Sequence, residues 1–148
     1  MVNLTTELNI LEEIVLRITN DSDIINARRE VRGISSKLGF SITEQTLITT
    51  AISELARNIL KYAGEGDIGM KVPPHSAKIT ITATDNGPGI KDVDLAMRDG
   101  YSSSGSLGLG LPGVKRIMDE FEIKSEVGKG TKVVASKIRM GSAEWRYR

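Results

Sequence analysis

The sequence predicts an α+β fold, a two-layer sandwich in which a mixed, mostly antiparallel sheet is covered by helices on one face. Three observations lead there. Residues 14–18 and 78–84 alternate apolar and polar side chains with the period of two that marks half-buried strands. Two further strand segments, 121–127 and 132–138, are separated only by Gly128-Lys129-Gly130-Thr131, and so short a link makes neighbours antiparallel. Three helical patterns lie among the strands without the strict strand–helix alternation of a parallel sheet.

Taken in order, residues 1–13 are ambiguous, and a strand begins at Ile14 with Leu16 and Ile18 on one side. Asn20-Asp21-Ser22-Asp23 supplies turn and N-cap chemistry for a helix over 24–38, with Ile24, Ala27, Val31, Ile34 and Leu38 at helical spacing and Gly39 as its stop. Ser41 and Glu44 have the spacing of a capping box, so a long helix follows over 43–63. Ile48, Ile52, Leu55, Ile59 and Tyr62 form its apolar stripe, while Glu54, Asn58 and Lys61 step along the opposed, exposed side. Gly64 and Gly66 end it. A short strand over 68–72, a Pro73-Pro74 loop and the strand 78–84 deliver Asp85 at a strand end. A short helix near 91–97 precedes a Ser- and Gly-rich, mobile stretch, 99–107, and a helix over 112–120 leads to the final hairpin. One domain spans 1–139, and 140–148 is a tail.

Composition narrows the function. The chain has 148 residues, 39% of them hydrophobic and 26% charged, with a net charge of +1. Such balance does not suit a nucleic-acid binder driven by bulk charge. With no cysteine and a single histidine, His75, thiol catalysis and multi-histidine metal sites are excluded. No apolar run approaches the ~20 residues of a membrane span, so no membrane partner and a cytoplasmic location are expected.

The chemistry-bearing residues cluster in a few motifs. Glu54 and Asn58, four apart, share a helix face. Alone, the pair reads as a solvated face with an ion pair from Glu54 to Arg57 or Lys61. The less common reading of such a pair is a carboxylate base beside an amide oxygen suited to Mg²⁺, which prefers hard oxygen donors. Asp85 opens Asp85-Asn86-Gly87-Pro88-Gly89, where it is either a turn residue or an acceptor for an adenine amino group, with Gly87 and Gly89 making room for the ring. Gly105, Gly108 and Gly110 precede a helix, and a helix N-terminus suits phosphate. Ser102, Ser103 and Ser104 have no histidine to activate them.

These motifs, in this order, resemble the GHKL ATPases that include gyrase, Hsp90, histidine kinases and MutL. Glu54-Leu55-Ala56-Arg57-Asn58 is similar to their N box, the segments at 85–89 and 105–110 to their glycine boxes, and 128–131 to their short third element. The run 49–59 with Tyr62-Ala63-Gly64, and Gly108 to Arg116 with Met118 to Phe121, resembles the anti-sigma serine/threonine kinases, specifically their stressosome switch-kinase branch. The resemblance implies the Bergerat fold, ATP and Mg²⁺ as cofactors, and phosphorylation of STAS-domain anti-anti-sigma or stressosome scaffold proteins. A PP2C-type phosphatase is a further implied partner. By the same resemblance Glu54 is the general base and Asn58 the Mg²⁺ ligand. Asp85 and Thr131 hold adenine, Gly87 and Gly89 shape its pocket, Gly105, Gly108 and Gly110 meet phosphates, and Lys61 is a phosphate contact. An exposed Glu54 would be ionised at neutral pH without special tuning. The lid segment 100–107, where the anti-sigma kinases carry an arginine, has no lysine or arginine. The alternative function is an ATP-bound binding module that grips a sigma factor or activates a phosphatase.

Overall fold

A computed structural model describes residues 13–98 and 110–142. Five strands make one sheet: β1 (Glu13–Ile18), β2 (Gly66–Lys71), β3 (Lys78–Asp85), β4 (Glu120–Glu126) and β5 (Gly130–Ile138). Their order is β1-β2-β3-β5-β4, and every described pair is antiparallel. The helices are α1 (Asp21–Lys37), α2 (Ile42–Tyr62), α3 (Val93–Ala96) and α4 (Gly110–Ile117).

Register sorts the strand side chains onto two faces, because successive residues point to opposite sides of a sheet. Leu16 lies opposite Ile68, Ile68 opposite Ala83, Ala83 opposite Val133, and Val133 opposite Ile123. This apolar row belongs to the core, which α1, α2 and α4 cover. Thr80, Thr82 and Val134 point the other way and are only half-buried. The expected layering of helices on one face is what the chain adopts.

α2 is the central helix, packed on α1, α4 and three strands. Its capping box is complete: the Glu44 N–H donates to Ser41 Oγ at 3.1 Å, and the Ser41 N–H donates to Glu44 Oε1 at 3.0 Å. Glu44 Oε2 accepts the Met140 N–H at 2.8 Å, tying the end of the sheet to the start of the helix. Burial pushes the Glu44 carboxyl up, but the backbone donors of Ser41 and Met140, the Ser41 hydroxyl and the charge of Lys137 outweigh it and hold it below its ordinary value.

Most element boundaries shift by one to three residues from expectation, and three shifts have a clear local cause. α1 starts at Asp21, since Asn20 is its N-cap and accepts the Asp23 N–H at 3.1 Å. α4 starts at Gly110 rather than 112, because a first turn leaves its N–H groups unpaired and so admits Pro112. It also ends at Ile117, where the Asp119 N–H donates to Ser136 O at 2.8 Å and the chain turns into β4. Tyr62, expected on the apolar stripe, is 55% exposed, because the helix ends there beyond the sheet that covers its neighbours. Among the described residues no helix is long and apolar enough to cross a membrane.

Candidate functional site

The C-terminal end of β3 is where α2, the loop after β3 and the β4–β5 hairpin meet. Asp85 is the last residue of β3, and its direct cross-strand neighbour on β5 is Thr131. Side chains so paired stand about 5 Å apart at Cβ and face the same side. Asp85 Oδ1 accepts the Gly87 N–H at 2.9 Å, an Asx turn that fixes the carboxylate, and no described group donates to Oδ2. The turn and ligand readings of Asp85 are therefore compatible, one oxygen for each.

Thr131 has a partner that sequence reasoning missed. Ser125 Oγ lies 2.7 Å from Thr131 Oγ1, accepts the Ile90 N–H at 2.7 Å and donates to Gly130 O at 3.1 Å. Either hydroxyl of the Ser125–Thr131 pair can be the donor, and in both arrangements Thr131 Oγ1 keeps at least one lone pair that Ser125 does not use. The signal was in the sequence: Phe121, Ile123 and Ser125 share the inward side of β4, and a hydroxyl there interrupts an apolar row.

The glycines allow this crowding. A Cβ on Gly130, at φ +119, would stand 2.0 Å from Asp85 O, and one on Gly89, at φ +76, would stand 2.2 Å from Glu126 O. Both conformations disfavour any other residue. At Gly87 a Cβ would meet the Ala63 Cβ at 2.6 Å, so the loop also presses on the end of α2. The same end of α2 reaches β3 through Gly66, where a Cβ would meet Ile59 Cγ2 at 2.8 Å and Asp85 Cβ at 3.2 Å. A cleft of about 330 Å³ opens beside the hairpin, with Asp85, Thr131 and the lysines 124, 129 and 132 in its lining.

On α2, Glu54 is a correction. The spacing predicted an exposed carboxylate, yet Glu54 is 6% exposed. Ten side chains of α2 are buried, so its buried arc is wider than the apolar stripe alone. Arg57 Nη1 donates to Glu54 Oε1 at 2.9 Å, the ion pair foreseen from the spacing, and it compensates the buried charge. Asn58, one turn on, is half-buried. Lys61 is exposed, with Nζ 5.2 Å from the centre of the Tyr62 ring, a cation–π distance. Asn58 neighbours Ile59, so it sits one residue from the contact with Gly66 and Asp85. Glu54, Asn58 and Lys61 do not line the cleft by the hairpin. Gly110 is the buried first residue of α4, while Gly105 and Gly108 lie outside the described residues.

Comparison with known proteins agrees with this architecture. Residues 43–141 match the model of the histidine kinase-, DNA gyrase B-, and HSP90-like ATPase family. The chain is 51% identical to the serine/threonine-protein kinase RsbT of Bacillus subtilis over 124 residues, covering 82% of this chain and 93% of RsbT. It is 35% identical to the anti-sigma F factor of Caldanaerobacter subterraneus over 117 residues, covering 75% of this chain and 82% of that protein. Among solved structures, the RsbU and RsbW domains of Rv1364c from Mycobacterium tuberculosis superpose with a TM-score of 0.59 at 16% identity, covering 85% of this chain and 32% of that longer one. At that identity the likeness speaks for the fold alone. The chain belongs to the histidine kinase-, DNA gyrase B-, and HSP90-like ATPase family, on the branch that holds the RsbT serine/threonine-protein kinase and the anti-sigma F factors.

Proposed function

We propose that the chain is an ATP-dependent serine/threonine protein kinase that transfers the γ-phosphate to a hydroxyl of STAS-domain anti-anti-sigma or stressosome proteins, and so acts as a partner switch in the cytoplasm. The observation that carries this reading is the direct pairing of Asp85 with Thr131 beside a helix end, joined to 51% identity with a serine/threonine kinase along nearly its whole length. A carboxylate with an oxygen that no described group donates to, next to a hydroxyl, suits the exocyclic amino group of adenine. Gly87 and Gly89 bring main chain close enough to flank the ring, and Gly105, Gly108 and Gly110 lead into α4, whose N-terminal amides suit phosphate.

The donor set also suits magnesium. Mg²⁺ takes few protein oxygens and fills its octahedron with phosphate and water. The Asn58 amide oxygen is a donor of that kind, and Lys61, one turn further along α2, is a second cation for the phosphates. When bound, the ion neutralises phosphate charge. The protein's own part is positional. Glu54, near-buried on a rigid helix, takes the proton of the attacking hydroxyl, and the compact loop and hairpin fix the base. Phosphoryl transfer demands little else of the side chains.

The test is Glu54→Gln. The amide keeps the shape and loses the proton acceptor, so nucleotide binding should persist while transfer to a STAS protein falls by at least a hundredfold, the usual scale of general-base loss. Full transfer by that variant removes Glu54 as the base. A second reading, favoured by the 35% identity to an anti-sigma F factor, is that the ATP-bound domain also grips a sigma factor or activates a PP2C-type phosphatase.

A further inference from the structure

Residues 99–109, which lead into the phosphate-facing helix α4, contain no lysine or arginine. A kinase that compensates the charge of a terminal phosphate therefore draws its cation from elsewhere in the chain. Arg57 is a cation beside the candidate base. It lies between Glu54 and Asn58 in sequence, and its Nη1 is 2.9 Å from Glu54 Oε1. The Arg57 side chain is 56% exposed and that of Glu54 7%, so the guanidinium caps a buried carboxylate from the solvent side.

Distance follows from the chemistry. A general base sits about 2.6–3.2 Å from the hydroxyl it deprotonates. The attacking oxygen approaches phosphorus to about 3–3.5 Å. The terminal phosphate thus comes within roughly 6 Å of the Glu54 carboxylate, which is the neighbourhood the Arg57 guanidinium already occupies. A planar fork with five N–H donors can hold a carboxylate with one and phosphate oxygens with two others. We propose that Arg57 is a catalytic residue that binds the terminal phosphate of ATP and supplies, from the helix, the positive charge that the lid sequence lacks. This rests on the kinase reading of the site.

The step balances simply. The substrate hydroxyl oxygen forms a bond to the γ-phosphorus, its proton passes to Glu54, and the bond from phosphorus to the β–γ bridging oxygen breaks, its electron pair leaving with ADP. Arg57 holds the phosphoryl oxygens throughout, where charge is spread. Arg57 keeps its Nη1 contact with Glu54 Oε1 while its other N–H groups turn to the phosphate oxygens.

The experiment compares ATP with ADP. The full chain, Arg57→Met and Arg57→Lys are titrated with Mg·ATP and with Mg·ADP by calorimetry, and γ-phosphate transfer is followed in single turnover. Arg57→Met should weaken ATP binding by about ten- to hundredfold, the value of a charge-assisted contact, and change ADP binding by less than about twofold. Transfer should fall by about a thousandfold, as on loss of an arginine finger. Arg57→Lys should recover part of the ATP preference. Equal loss for both nucleotides, or an unchanged ratio with slow transfer, overturns the proposal, the latter because it leaves Arg57 only orienting Glu54. The titrations need no protein substrate. Failure of the unaltered chain to phosphorylate any protein would count against the kinase reading and leave the ATP-to-ADP ratio to decide the role of Arg57.

Discussion

Asp85 commits one carboxylate oxygen to the Gly87 N–H and leaves the other without a described donor, so an amide at this position would present a donor where an acceptor is needed half the time. Asp85→Asn should therefore lower ATP affinity by about tenfold or more, measured by calorimetry, because a charge-assisted bond is replaced by a neutral or repulsive contact. Affinity equal to the unaltered chain would remove Asp85 as the adenine reader. The position of Asp85 was legible because alternation from Ile79 onward dictates where the strand ends. The burial of Glu54 was not legible. Helical spacing tells which residues share a side, but how wide an arc is covered depends on α1 and α4, which pack on α2 from elsewhere in the chain. Ser125 escaped for a related reason, since its value comes from Thr131 and Ile90, neither adjacent in sequence.

At the scale of elements, the start of α2 is held by a carboxylate serving two segments. Glu44 closes the capping box and accepts the Met140 N–H, and its folded carboxyl lies below its ordinary value. A depressed folded value means that the unfolded chain binds the proton more readily, so the stabilisation is full above the unfolded value, about 4.3, and fades as pH falls through the folded one. Glu44→Gln should cost about 1 kcal/mol at neutral pH, the scale of a lost cap, and should flatten the loss of stability below about pH 4. Urea unfolding at pH 7 and pH 3.5 reads both, and parallel losses for variant and unaltered chain would refute the assignment. The capping box itself could be read from Ser41 and Glu44. The fastening at the far end of α4 could not: Lys137 Nζ lies 3.6 Å from Asp119 Oδ1 and donates to Ile117 O at 3.1 Å, a bond set by tertiary packing between groups 18 and 20 residues apart.

For the whole molecule, the strand order β1-β2-β3-β5-β4 inserts the last strand between two earlier ones. Alternation and the 128–131 turn predicted the β4–β5 hairpin, but nothing local specifies that β5 rather than β4 pairs with β3. That choice brings Thr131 to Asp85 and assembles the candidate site from the middle and the end of the chain. A ligand bridging those parts binds the folded chain alone. Mg·ATP at a hundred times its dissociation constant should add about 2.7 kcal/mol of stability and raise the melting temperature by roughly 5–10 °C. Scanning calorimetry with and without nucleotide measures it, and Asp85→Asn should show a smaller rise at equal concentration. No rise in the unaltered chain would mean that the candidate site does not take the nucleotide.

The contact of Gly130 with the main chain of Asp85 has an outcome for anyone redesigning the pocket. At 2.0 Å, even a methyl group at 130 would force apart two paired strands, and Gly89 is as constrained against the Glu126 carbonyl. Bulk cannot be added at those points to narrow or reshape the opening. Altered ligand choice has to be sought in the side chains of Asp85, Thr131 and Ser125, which alter hydrogen-bonding character while the main chain around them stays as it is.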